Sequence, residues 1–219
     1  MAISVVAVVV AVGVVFLALW LGARRRKALS LWAASHGLSF DPARARGYDD
    51  RYPAFRCLRR GHSRSASNLM RGVWKGHDAV AFDYRYVTGH GKSRSVHSFS
   101  AAIVSTGVSF EPLRVRPEGL FDRVTEFLGF DDIDFESVEF SRAFHVSASS
   151  ARFAYDVLHQ RTMEFLLAAP RFHIQFDNGE AIIWRDRRFD GETFGVAMDV
   201  IAGILDRLPP YVRQGRERT

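Results

Sequence analysis

Cysteine is nearly absent from this chain: Cys57 is the only one in 219 residues. No internal disulfide is possible, which fits a reducing compartment. Lysine is scarce too. Of 30 cations only Lys27, Lys75 and Lys92 are lysine. That bias matches a GC-rich bacterial genome, so arginine enrichment alone does not indicate a binding need. Catalytic signatures are missing as well. No G-x-S-x-G nucleophile turn occurs, and serines 63, 65, 67, 93, 95, 98 and 100 read as loop and strand-face residues. Gly91-Lys92-Ser93 ends like a phosphate-binding loop, but Tyr86 stands where the earlier glycine is needed. An alternating stretch follows it, not the helix whose amides would face a phosphate. His62, His77, His90 and His97 match no zinc spacing. No cofactor motif is present. The basic residues are scattered without a helix-turn-helix or RNA-motif pattern, which argues against a nucleic-acid partner.

Charge is missing altogether from Met1 to Ala23, and Arg24, Arg25, Arg26 and Lys27 follow at once. The run is apolar on every side, and at about 1.5 Å per residue it reaches the roughly 30 Å of a hydrocarbon core. No cation precedes it and Leu21-Gly22-Ala23 is a poor cleavage context, so it reads as an uncleaved anchor, not a signal peptide. Trp20 falls where interfacial aromatics collect. The four cations predict a bacterial inner-membrane protein with its N-terminus outside and the rest in the cytoplasm. Residues 24–106 carry a net charge of +11 and residues 107–219 a net charge of −5. The basic half therefore adjoins the membrane, where anionic headgroups attract cations.

The rest reads as α+β with antiparallel sheet and packed helices. Residues 24–36 continue the helix, with Leu29, Trp32 and Ala33 on one face and Gly37 as its C-cap. Asp41 to Tyr52 reads as a loop or linker. From Phe55 the period becomes two, with Phe55 and Cys57 alternating. Val80, Phe82, Tyr84 and Tyr86 form one apolar face, opposite Ala81, Asp83 and Arg85. Thr88 to Lys92 joins this strand to Val96–Val104. A helix is predicted from Pro117 to Leu128, a strand over Phe140–Val146, and a helix capped by Ser149 or Ser150 running to Ala169. Phe172 to Trp184 predicts a hairpin with a type I′ turn at Asn178-Gly179, placing His173 opposite Trp184. A last helix follows Asp190, and the tail from Arg213 is disordered. The divisions are an anchor over 1–23, a juxtamembrane helix and linker over 24–52, a domain over 53–208 and a tail over 209–219. The domain is either one unit or two subdomains, 53–116 and 117–208.

Several side chains are candidates for chemistry. Asp83 and Arg85, on one strand face, could clamp a ligand or simply pair in solvent. Asp132, Asp134 and Glu136 share one face if extended, while Ile133 and Phe135 point into the core. The three acids could hold a hard cation with a histidine such as His97, or form an acidic outer face paired with arginines such as Arg142. Arg56, Arg59 and Arg60 could lower the pKa of Cys57, although a lone cysteine in an apolar stretch is ordinarily core. Arg24, Arg25, Arg26 and Lys27 are the expected contacts with the membrane surface.

The stretches Gly76-x-x-x-x-Ala81-Phe82-Asp83-Tyr84-Arg85-Tyr86, Thr88-Gly89-x-Gly91-Lys92 and Asp132-Ile133-Asp134-Phe135-Glu136-Ser137, with Phe140-Ser141-Arg142, form a further pattern. It resembles a group of small bacterial membrane-anchored proteins without an assigned function, over roughly residues 55–185. The resemblance implies one domain type and brings no reaction or ligand. The leading expectation is a non-catalytic, single-span protein. Its partners would be the bilayer with its anionic headgroups, and another protein. The alternatives are a metal-dependent hydrolase built on residues 131–136 and a histidine, or a lipid or small-ligand module using Phe82, Tyr84 and Tyr86.

Overall fold

A computed structural model describes the backbone of residues 2–118 and 131–214, and their side chains except at 2–9, 11, 131 and 214. Helix α1 spans Ala2–Ser35. Leu29, Trp32 and Ala33, spaced three and four apart, are buried against the domain. Leu38 N–H donates to Ala33 O and Gly37 N–H to Ala34 O, with Gly37 at φ 69. This is the glycine-terminated cap that the sequence suggests. Further up the helix, Val10, Phe16, Leu17, Leu19, Trp20 and Leu21 are exposed. Among the described residues no helix is long and apolar enough to cross a membrane.

One antiparallel sheet holds the molecule together. Its strands are β1 (Ser39–Asp41), β2 (His62–Trp74), β3 (His77–Thr88), β4 (Ser95–Pro117), β5 (Asp131–Asp132), β6 (Phe144–Ala148) and β7 (His173–Arg185). The order is β1-β2-β3-β4-β6-β5, with β7 also on β4. Lys75 and Gly76, at φ 47 and 86, form the two-residue link between Trp74 and His77. Two positive φ values in succession match the twist of the paired strands.

Strand β7 turns back on itself. His173 stacks on Trp184 with ring centroids 5.0 Å apart, and Arg185 Nε donates to Arg171 O at 2.5 Å. A straight strand would separate residues 173 and 184 by roughly 35 Å. The expected reversal is therefore present, but its type differs. Asn178 has φ 53 while Gly179 is not at positive φ, so the turn is not type I′. The two halves of β4 flank the reversal: Ser100–Ser105 pair with Arg185–Glu180, and Leu113–Val115 with Phe176–Ile174.

The sheet is covered on both faces. One face carries Ala81, Ala102, Ile174, Phe176 and Ile183, packed against α1, α4 (Ala151–Val157), α5 (Gln160–Ala168) and α6 (Gly191–Arg207). The other carries Phe82, Tyr84, Phe99, Ala101 and Trp184, covered by Tyr48, Tyr52, Phe55, Cys57 and Leu58. Apolar burial of about 25 cal/mol per Å² favours both layers.

Several local expectations need correction. The loop or linker expected over 41–52 gives way at its end to α2 (Tyr48–Arg51), which puts Tyr48 and Tyr52 into the second core layer. Phe55 to Arg59 is not a strand; Arg56–Arg59 is a 3₁₀ turn that places Cys57 and Leu58 over the sheet. Residues 138–143 form helix α3, capped by the Ser137 hydroxyl, and only Phe144–Ala148 is strand. The helix after Ser150 breaks at Leu158-His159 into α4 and α5. Pro117 ends β4 instead of opening a helix; the helix expected over 120–128 lies outside the described residues, as does the tail beyond Gln214. Arg213 belongs to helix α7 (Pro210–Gln214), its guanidinium donating to Leu205 O and Asp206 O.

Candidate functional site

Asp83, on the sheet face that receives α1, is a densely hydrogen-bonded polar group. Arg25 meets it with both arms of its guanidinium: Nε donates to Oδ2 at 2.9 Å and Nη2 to Oδ1 at 2.7 Å. Nη2 also donates to Phe189 O at 2.6 Å. The carboxylate accepts two further bonds, from Asn68 Nδ2 at 2.8 Å and Ser100 Oγ at 2.5 Å. Ser100 Oγ in turn accepts from Phe189 N–H at 3.0 Å. Asp83 is 5% exposed, and a cation and two further donors satisfy its buried oxygens.

Each member is placed by local backbone. Asp83 pairs with Ser100 across β3 and β4, which puts both side chains on one face. Asn68 sits in the β2 irregularity between Ser67 and Met70 at φ 52. That left-handed conformation, tolerated by asparagine, aims its amide at the carboxylate. Arg25 lies four residues before Leu29 and seven before Trp32, on the buried stripe of α1. Farther along that stripe, Trp32 stacks on Trp74 at 5.8 Å and packs against Gly191 and Gly195 of α6.

These contacts orient α1. Arg25 is level with Asp83, and Trp32 is level with Trp74, which pairs with His77 at the start of β3. The N-terminal part of α1 therefore leaves the domain toward the end where β3 runs into β4. That end is basic. It carries exposed Arg24, Arg26 and Lys27 on α1, Lys92 and Arg94 in the β3–β4 connection, Arg59 ahead of β2, and Arg187 and Arg188 after β7. Asp186 there is held by Arg60 at 3.0 Å, and Asp49 is paired with Arg64.

The candidate residues thus separate. Arg25 is not a free surface cation, because Asp83 consumes it; Arg24 sits over the Trp20 ring at 5.6 Å. Asp83 faces Arg25 instead of clamping a ligand with Arg85, which is half-buried. His97 lies on the opposite sheet face, stacked on Tyr86 at 4.8 Å and bonded to Thr88 Oγ1 at 2.8 Å. Asp132, Asp134 and Glu136 are exposed while Ile133 and Phe135 are buried. Asp132 meets His145 Nε2 at 2.9 Å, not Arg142, because β5 pairs with β6 and brings that histidine alongside. Among the described residues no three His, Cys, Asp or Glu side chains gather as a metal site. Burial pushes the Cys57 thiol up to about 12, outweighing Arg60 and Arg114. The aromatic face of Phe82, Tyr84 and Tyr86 is closed by residues 48–58, with Tyr84 Oη donating to Leu58 O at 2.7 Å.

Sequence reasoning missed Asn68 and Ser100, and took Arg25 for a surface group. The spacing of Arg25 to Leu29 and Trp32 was a usable signal for its burial. Nothing in the sequence marks Asn68, whose role depends on an irregularity in strand pairing.

No family model matches the chain, and no curated protein matches it. Among solved structures, the crystal structure of the mycobacterial trehalose monomycolate transport factor A, TtfA, is similar, with a TM-score of 0.62 at 14% identity. The match covers 84% of this chain and 96% of that one. At that identity the likeness concerns the fold.

Proposed function

We propose that this chain is a non-catalytic, single-span inner-membrane protein whose cytoplasmic α+β domain is held in a fixed pose against an anionic bilayer surface. The observation that carries this reading is the Arg25–Asp83 pair. It ties α1 to the sheet four residues before Leu29 enters the core, so the domain does not hang on a flexible tether. The uncharged run over residues 1–23 and the cations after it support the anchor and its N-out orientation. The basic end from which α1 emerges then faces the headgroups, where each cation contributes about 1 kcal/mol near an anionic leaflet. The sequence pattern over residues 55–185 remains in keeping with small bacterial membrane-anchored proteins of this kind.

A second reading, a lipid-handling module, is favoured by one observation: the similar solved structure is named for trehalose monomycolate transport. The closed aromatic face directs any such ligand to the basic end instead.

The test uses the full chain in nanodiscs, with a spin label on Ser93→Cys at the β3–β4 connection. In phosphatidylglycerol discs the label reports headgroup contact; in phosphatidylcholine discs, or in high salt, it is solvated. The Lys92→Gln/Arg94→Gln variant weakens the contact. Equal label environments in the two lipids would refute the surface reading, and a C-terminal tag exposed to the periplasm would refute the topology.

A further inference from the structure

At the basic end, the open mouth of the β7 reversal forms a cleft of about 360 Å³ lined by Pro117, Arg171, His173, Arg185, Asp186 and Arg187. Its volume falls in the range of small-ligand sites. Arg171, Arg185 and Arg187 line the cleft with a single acid, Asp186, which already accepts from Arg60 Nη1 at 3.0 Å. Among the described residues, Arg171, Arg185 and Arg187 have no carboxylate partner within salt-bridge distance.

Arg185 is held in place before any ligand arrives. Its guanidinium lies 3.8 Å above the Phe172 ring, and its Nε is committed to Arg171 O. Stacking fixes the plane of the fork, so a fork-shaped anion loses little further freedom on binding. Burial, helped by Arg187, also lowers the pKa of Arg185. Like charges gathered in a partly desolvated cleft are a cost that an anion relieves. His173, 2% exposed and stacked on Trp184, forms part of the wall. The Pro117 ring and the arginine stems supply apolar surface beside the charges.

The position of the cleft matters as much as its charge. Arg185 pairs with Ser100, and Ser100 pairs with Asp83, where Arg25 of α1 docks. The cleft is thus two strands from the clamp, at the end from which α1 departs.

We propose that this cleft binds the phosphate headgroup of an anionic bilayer lipid, with Arg171, Arg185 and Arg187 holding the phosphate and the lipid chains remaining outside in the bilayer. The proposal rests on the membrane reading above, because that reading brings bilayer lipid to this end. It adds a defined, stoichiometric site to what is otherwise a diffuse surface attraction. A phosphate monoester or inorganic phosphate shares the recognised chemistry; the site is assigned to the lipid because of its apolar walls and its place beside α1.

The experiment titrates dioleoyl phosphatidylglycerol, dioleoyl phosphatidylcholine and inorganic phosphate separately into the full chain in an uncharged detergent, with bound lipid counted by native mass spectrometry. One phosphatidylglycerol is retained, at least about tenfold more tightly than phosphatidylcholine, a difference of about 1.4 kcal/mol. Arg171→Gln/Arg187→Gln, at two exposed positions, removes that preference while leaving the thermal midpoint in place. Arg185→Gln acts in the same direction but also unstacks Phe172, so the exposed pair decides. Lys92→Gln/Arg94→Gln leaves the first bound lipid unaffected and alters only the spin-label contact. Equal retention of the two lipids, or full retention by Arg171→Gln/Arg187→Gln, overturns the site. Inorganic phosphate binding as tightly as phosphatidylglycerol overturns its assignment to lipid. Loss of the spin-label contrast with the single bound lipid preserved refutes the surface reading alone, whereas the reverse pattern refutes the cleft alone.

Discussion

Replacing Asp83 by alanine removes the acceptor at the centre of the α1 clamp. Four hydrogen bonds end on that carboxylate, two from Arg25, one from Asn68 and one from Ser100. The Arg25 side chain is 21% exposed and that of Asp83 is 6% exposed. The aspartate side is therefore the more desolvated, and the arginine keeps some access to water. Removing one member of a buried pair leaves its partner uncompensated, which costs about 3–5 kcal/mol. Here the partial exposure of Arg25 and its remaining bond to Phe189 O favour the lower end, about 3 kcal/mol. For a domain of this size that corresponds to a fall in thermal midpoint of roughly 6–12 °C. Arg25→Met keeps the alkyl stem but leaves the more desolvated carboxylate without its cation, held only by Asn68 and Ser100, so it costs at least as much, about 3–5 kcal/mol. Because the two residues share one interaction, the double variant costs less than the sum of the singles, with a coupling of about 1.5–3 kcal/mol. The assay is urea unfolding of the full chain in detergent. Spin labels on α1 and on β3 add a distance measurement, and the Asp83→Ala distribution broadens as the helix loses its fixed pose. A cost below about 1 kcal/mol, or additive singles, would mean that the pair behaves like a solvated surface bridge. The rigid-pose premise of the proposed function would then fall.

Three further outcomes follow from the packing. Gly191→Ala places a Cβ 2.3 Å from Trp32 Cγ, so α1 and α6 must separate; overpacking of about 1–3 kcal/mol is expected in urea unfolding, and a neutral variant would contradict the close approach. Asp190 caps α6 by accepting from Thr193 N–H at 2.8 Å and from its hydroxyl at 2.6 Å, so Asp190→Ala costs about 1 kcal/mol at neutral pH. The Thr193 bonds hold the Asp190 carboxyl below its ordinary value of 3.8. The cap is therefore fully present above that value and is lost as pH falls through the lower folded value, where wild type and variant converge in stability. The Cys57 thiol, buried and pushed up to about 12, stays protonated at pH 8. Maleimide labelling therefore tracks unfolding of the second core layer, and fast labelling of the native chain would refute its burial.

Residues whose role is set by nearest neighbours were legible in the chain. The α1 stripe of Leu29, Trp32 and Ala33, the Gly37 cap, the aromatic face of β3, a cap at Ser149 or Ser150 and the facing of His173 with Trp184 follow from period and capping, although the type I′ turn expected at Asn178-Gly179 does not form. The misreadings fall where covering a sheet overrides local pattern. Residues 48–59 look polar or strand-like in isolation, but the aromatic face of β3 and β4 draws Tyr48, Tyr52, Phe55 and Leu58 over it. For Cys57 the expectation of an ordinary core cysteine holds, because desolvation outweighs the nearby arginines once that segment closes.

By itself, the sequence determined the α+β class, the apolar run followed by cations, and the basic character of the half next to it. Those are properties of composition and period, and they need no knowledge of which distant residues meet. Only the tertiary structure decided that Arg25 and Asp83, 58 residues apart, share one bidentate contact. The reversal that sets Arg171 near Arg185 was legible, and only its meeting with Pro117 and Arg187 in one cleft needed the tertiary structure. A charge carries no mark of its partner along the chain, because its energy depends on desolvation and on donors that strand register alone supplies.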